Sequence, residues 1–164
     1  MGQRELLLTL GAIVIFSLTT LTVNRLTVRN SEAVYGQQAE FYALSVAQQF
    51  VEEAKVKAFD ENTIAGNPIS MPGGFTSTPM GPGVSESYPN FDDVDDFNGL
   101  TTTVTTKMGP MSVNIAVDYV QDTNLDSIVN PTKTFYKKMT VTVQSAYLPN
   151  PVTARYVFAF QKNP

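Results

Sequence analysis

The chain has no cysteine and no histidine. Without Cys there are no disulfides, no thiolate metal sites, no thiol nucleophile and no c-type haem attachment. Without His there is no imidazole base and no ordinary zinc or copper site. A catalytic centre would have to be built from a carboxylate pair or a Ser–Lys dyad, and no nucleophile motif is present. Neither a G-x-x-x-x-G-K-[ST] nor a G-x-G-x-x-G stretch occurs, so Gly73-Gly74 and Gly81-x-Gly83 read as loop glycines. We therefore expect no enzyme and no cofactor. Positive charge is also scarce, with 11 Lys and Arg against 15 Asp and Glu. The imbalance lies wholly beyond residue 59: residues 60–164 hold six basic and ten acidic residues, whereas residues 1–59 hold five of each. No basic stripe exists to neutralise phosphates, and nucleic acid is not an expected partner.

What the chain does have is an uncharged run from Leu6 to Val23. Twelve of its 18 residues are apolar, and the rest are Gly11, Thr9, Ser17, Thr19, Thr20 and Thr22. As a helix it is about 27 Å long, close to the ~30 Å hydrocarbon core of a bilayer. It does not read as a secretory signal peptide, because the charged region before it is thin and no small-residue cleavage site follows. Beyond it, Tyr35, Ala39, Tyr42, Ala43, Val46, Phe50 and Ala54 recur at three- and four-residue steps. That spacing makes one apolar stripe, so a single helix is expected from Met1 to about Phe59, its second half docked on a core. Core packing is the expected use of the aromatics along it (Phe16, Tyr35, Phe41, Tyr42, Phe50, Phe59). Ser17 to Val28 is crowded with Thr and Val, whose side-chain freedom is lost in a helix. Its Ser17, Thr19, Thr20 and Thr22 mark the expected weak point outside lipid.

Residues 60–99 hold six Gly and five Pro and show no periodicity, so a long loop draped over the surface is expected. From Leu100 the texture is β: a Thr-rich strand to Met108, a Gly109-Pro110 turn, and a cleanly alternating strand from Met111 to Val120. A polar loop, Gln121 to Thr132, then leads to strands at Lys133 to Tyr147 and Val152 to Gln161. The fold class expected is α+β. The long N-terminal helix, hydrophobic in its first half, packs by its second half against a C-terminal antiparallel sheet of about four strands. The expected organisation is a hydrophobic helix at 1–28 and a globular domain at 29–164. The latter comprises an amphipathic helix (29–59), a Gly/Pro-rich loop (60–99) and the sheet (100–164).

Two stretches carry chemistry. One is Glu5, an acid at the edge of the apolar run, where an unpaired charge at membrane depth costs a few kcal/mol. It either sits at headgroup level beside Arg4 or receives a cation from another copy of the chain, and the α-amino group at Met1 is of the right kind. The other is FDDVDDFNG, residues 91–99. Its Asp92, Asp93, Asp95, Asp96 and Asn98 read either as a solvated acidic loop or as a calcium site, since hard oxygens in such density favour Ca²⁺. An EF-hand frame is absent, because Phe97 breaks the alternation and no Glu closes the loop. Phe91 and Phe97 are expected to pin this loop to the sheet.

Glu5, the uncharged Leu6–Val23 run, the amphipathic continuation to about Phe59, the FDDVDDFNG stretch and the strand FYKKMTVTVQ together resemble the type IV pilin family, pseudopilins included. The resemblance spans most of the chain and is most specific over the first 25 residues. The chain departs from the family pattern at Met1, Gln3, Arg4 and Thr22, where Phe, apolar or small residues, and Pro are common. The resemblance implies removal of a short leader and N-methylation of residue 1. It also implies that Glu5 pairs with the terminal amine of a neighbour while Leu6, Leu7, Leu10, Ile13 and Phe16 pack into a filament core. The partners implied are identical subunits in a helical filament and, before assembly, inner-membrane lipid. The location implied is the cell surface, with adhesion, motility, DNA uptake and secretion all compatible. The expected function is a structural filament subunit. The alternatives are a pseudopilin or minor pilin of a secretion-like machine and a monomeric membrane-anchored binding domain.

Overall fold

The computed structural model describes residues 2–64 and 69–161. Helix α1 runs Gln3–Lys55, and two compact units divide the chain between Gln38 and Ala39. In the first unit every described residue up to Tyr35 is exposed, including Phe16 and Tyr35, so core packing does not account for those two aromatics. The Thr-rich stretch from Ser17 to Val28 is continuous α-helix. Its hydroxyls turn back onto the helix: Ser17, Thr19, Thr20 and Thr22 each donate to the carbonyl four residues earlier at 2.8 Å.

The second unit is built on the remainder of α1. Its stripe is the expected one, with Ala39, Ala43, Val46, Phe50 and Ala54 buried and joined by Ala47 and Val51. Four of these are alanines. Tyr42 is half-buried and Phe41 is exposed. The helix stops at Lys55, short of Phe59, because the chain is needed elsewhere. The Lys57 N–H donates to Ala54 O, and Ala58 then forms a parallel bridge with Asp93. In that bridge the Ala58 N–H reaches Asp92 O and the Val94 N–H reaches Ala58 O, both at 3.0 Å.

The Gly/Pro-rich segment runs over the surface for most of its described length, as expected, but is neither structureless nor wholly superficial. It forms a short helix α2 (Glu61–Ile64) and single 3-10 turns at Pro72–Gly74 and Asp95–Phe97. It sends Ile69, Phe75, Met80, Phe91, Val94 and Phe97 into the core. Spaced apolar residues between breakers show no period, which is why the segment looked structureless.

The sheet has five strands: β1 (Thr101–Thr106), β2 (Gly109–Gln121), β3 (Asn124–Ile128), β4 (Tyr136–Gln144) and β5 (Val152–Ala159). The order is β1-β2-β4-β5, with β3 paired to β2 off that path, and every pairing is antiparallel. The four-strand meander is therefore present with one strand added inside the loop expected at Gln121 to Thr132. There Gln121 pairs with Asn124 across a two-residue turn. The β1–β2 turn is Lys107-Met108, and Gly109 at φ +100° takes a backbone conformation that a side chain would strain. On β2, Met111, Val113, Ile115, Val117 and Tyr119 alternate inward as expected. β5 half-buries Val152, Ala154 and Phe158, whereas Tyr156 is exposed under the Lys55 ammonium, 4.5 Å from the ring centre.

Candidate functional site

The N-terminal helix presents the residues expected to assemble. Glu5, Leu6, Leu7, Leu10, Ile13 and Phe16 are all exposed, while Met1 lies outside the described residues. Glu5 occupies the first turn, where a carboxylate complements the positive end of the helix dipole. Its Oε2 accepts the Gly2 N–H at 3.2 Å, and the Glu5 N–H reaches back to Gly2 O at 3.0 Å. This is the returning half of a capping box, a local use for the acid that needs no second chain. Thr9 Oγ1 donates to the carbonyls of both Glu5 and Leu6.

The acidic loop is not solvated. Asp92 is exposed, but Asp93, Asp95 and Asp96 are buried. Asp93 Oδ1 accepts the N–H groups of Asp95 and Asp96 at 2.6 and 3.1 Å, which winds the 3-10 turn. Asp96 Oδ2 accepts the Asp92 N–H at 3.1 Å and so closes the turn from the other side. Asn98 fastens the loop to the sheet: its Nδ2 donates to Met80 O at 2.8 Å and its Oδ1 accepts the Val117 N–H at 2.9 Å. Phe91 and Phe97 meet edge-to-face at 5.1 Å and are both buried, so they anchor the loop as expected. Of the five residues considered as calcium ligands, Asp93, Asp95, Asp96 and Asn98 have side-chain partners within the protein, and the Asp92 carboxylate is exposed. Carboxylate oxygens of Glu61, Glu86 and Asp92 lie within 4.8 Å of one another at the surface, a grouping that includes one of the five.

The counter-charge for the buried acids is Lys137 on β4. Its Nζ donates to Phe59 O at 2.8 Å, to Asp60 Oδ2 at 2.7 Å and to Asp95 Oδ1. Rings of Phe59, Tyr119 and Phe75 surround it, their centres at 4.4, 5.2 and 5.9 Å. Lys137 and Asp60 are 0 % exposed and Asp95 1 %, so water supplies none of the solvation. The two carboxylates are treated unequally. Asp60 also accepts N–H groups from Asn62 and Thr76 and the hydroxyls of Thr76 and Tyr119. Burial works against its charge, yet Lys137 and these donors hold its carboxyl below the usual range. Asp95 has Lys137 alone, and Asp95 Oδ2 has no partner. Burial pushes its carboxyl up to about 6 despite the ammonium beside it.

Asp93 goes further. Burial, with the charges of Asp95 and Asp96 added, pushes it up to about 8, and its Oδ2 is likewise unpartnered. Burial also raises the Tyr119 hydroxyl, as does the Asp60 carboxylate it donates to. Sequence reasoning missed Lys137, Asp60 and Tyr119 as one group. The signal was present in β4, where Lys137 shares the inward parity of Met139, Val141 and Val143. An inward Lys requires a buried acid nearby, and FDD and DDF were the acids on offer. Among known proteins, no family model, no curated protein and no solved structure matches this chain.

Proposed function

We propose that the chain is the structural subunit of a type IV pilus-like extracellular filament, held in the inner membrane by α1 before assembly and polymerising through it. The observation that carries this reading is the exposure of every side chain from Leu6 to Val23 on a helix long and apolar enough to cross a membrane. Burying a Leu, Ile, Val or Phe side chain is worth about 1.5–3 kcal/mol, so a run of this size left in water costs on the order of 10–20 kcal/mol. Something apolar must cover it, either lipid or other copies of the same helix. In a helical bundle the run exchanges lipid for neighbouring helices at little net cost, which makes extraction from the membrane feasible. Glu5 then neutralises the amine of a neighbour and sets the axial register.

A second reading is a monomeric anchored domain. It is favoured by the Gly2–Glu5 hydrogen bond, which gives Glu5 a use within its own chain. Two substitutions separate the readings. Glu5→Ala removes charge and cap together, whereas Glu5→Gln keeps an acceptor for the Gly2 N–H and removes only the charge. Electron microscopy of sheared cell-surface material should show no filaments from either variant, with both chains accumulating in the membrane fraction. Filaments from Glu5→Gln at wild-type abundance would refute the charge pairing, and an absence of filaments from the wild-type chain would favour the anchored domain.

A further inference from the structure

Lys137 and Asp95 present an amine and a carboxyl in contact, sealed from water, with a second carboxylate touching the same nitrogen. The two side chains come from β4 and from the 3-10 turn Asp95–Phe97, and neither is free to leave. The turn is wound by Asp93 Oδ1, and the strand is paired on both sides, with β2 and β5. We propose that Lys137 Nζ and Asp95 Cγ are joined in the folded protein by an intramolecular isopeptide bond that forms without an enzyme.

The atoms balance without an outside reagent. Lys137 gives up one ammonium proton, its lone pair attacks Asp95 Cγ, and the C–N bond forms. The C–Oδ2 bond breaks and that oxygen leaves as water, carrying the two protons shed by nitrogen. An ammonium and a carboxylate become a neutral amide and one water. Three features of the site favour this direction. First, the ion pair is buried, so its ionised form is disfavoured relative to any neutral product. Second, holding the reacting groups together is worth an effective concentration of up to about 10⁵–10⁸ M, which offsets the unfavourable condensation seen in free solution. Third, the site is lined by Phe59, Phe75 and Tyr119, so water is not at hand to reverse the reaction.

The geometry also says which acid reacts. Asp60 is locked as a carboxylate by two backbone N–H groups and two hydroxyls, which makes it a poor electrophile and a well-placed proton acceptor for Nζ at 2.7 Å. Asp95 has one oxygen against Lys137 and the other unpartnered in a buried site, the arrangement a leaving oxygen needs. The product would tie the acidic loop to the central sheet by a covalent bond, where an ion pair alone is reversible.

The test is peptide mapping by mass spectrometry of the full chain, purified folded in detergent micelles and then digested with trypsin. The expected result is a branched peptide carrying both Asp95 and Lys137, lighter by one water than the two linear peptides together. Asp95→Asn should yield the same branched peptide through loss of ammonia instead of water, whereas Lys137→Arg should yield linear peptides only. Asp60→Ala should leave the wild-type linear peptides unreacted or slow their conversion at least tenfold; unchanged conversion would refute Asp60 as proton acceptor. Linear, unmodified peptides as the major product of the folded wild-type chain would overturn the proposal, and this readout does not depend on any variant folding.

Discussion

Replacing Asp93 by Asn should make the globular unit lose its sensitivity to alkaline pH. In the unfolded chain this carboxyl titrates near 3.8, whereas in the folded protein it is pushed up to about 8. Between those values the native state holds a proton that the unfolded state has lost. A raised acid of this kind adds stability below the unfolded value and loses it as pH rises towards the folded one, opposite to an ion-paired Asp. The span from 3.8 to about 8, at ~1.4 kcal/mol per pH unit, caps the effect at roughly 6 kcal/mol. Relaxation and residual solvent screening bring the expected loss between pH 5 and pH 9 to about 2–3 kcal/mol. Asp95, raised to about 6, adds in the same direction if it is free to titrate. Asp60 is held low, so its contribution is already full by pH 5 and fades only as pH falls further. Asn at position 93 keeps an acceptor for the N–H groups of Asp95 and Asp96 but has no proton to lose. Urea denaturation of the full chain in micelles at pH 5, 7 and 9, followed by tyrosine fluorescence, measures both slopes. Asp93→Asn should lose less than half of what the wild type loses. Parallel curves, or a wild type as stable at pH 9 as at pH 5, would refute the reasoning.

Two further outcomes follow from burial. Lys137→Met removes the nitrogen that Asp60 and Asp95 share, whether ammonium or amide, and should destabilise the globular unit by about 3–5 kcal/mol in the same denaturation assay. By contrast Asp126→Asn, which removes a carboxylate that is 90 % exposed and 4.0 Å from Lys138 Nζ but keeps the Lys138 bond to the Asp126 carbonyl at 2.9 Å, should change stability by less than about 1 kcal/mol. In α1, Ile13→Asp should leave the urea midpoint of the globular unit unchanged and keep the chain in the membrane fraction, because a charge in mid-bilayer costs about 2.5–3.5 kcal/mol, less than exposing the whole run to water.

The sequence made the long elements plain and the short ones obscure, for physical reasons. A strand such as Met111 to Val120 repeats its inward residue every second position, and the α1 stripe repeats every three to four, so each announces its own period. The segment from Asp60 to Gly99 has no period because its apolar residues are plugs, each fixed by a neighbour distant in sequence: Phe75 by Phe59, Phe135 and Phe160. The same holds for charge. FDDVDDFNG reads as surface because four acids in five positions repel one another, and only a Lys some forty residues later makes burial tolerable. Where Glu5 lies was legible from the apolar run beside it, but its bond to Gly2 depends on a helix start that composition does not mark.

The hydroxyls of α1 have one more consequence. Ser17, Thr19, Thr20, Thr22 and Thr27 each donate to a carbonyl of their own helix. Polar side chains in an apolar segment commonly dictate its surroundings, since each needs a donor or acceptor from whatever lies next to it. These do not. The tally of satisfied polar groups is the same whether the segment faces acyl chains, identical helices or the passage between them. As far as these hydroxyls are concerned, moving the segment exchanges only dispersion contacts, so they leave its resting place to shape and packing and to the charge at Glu5.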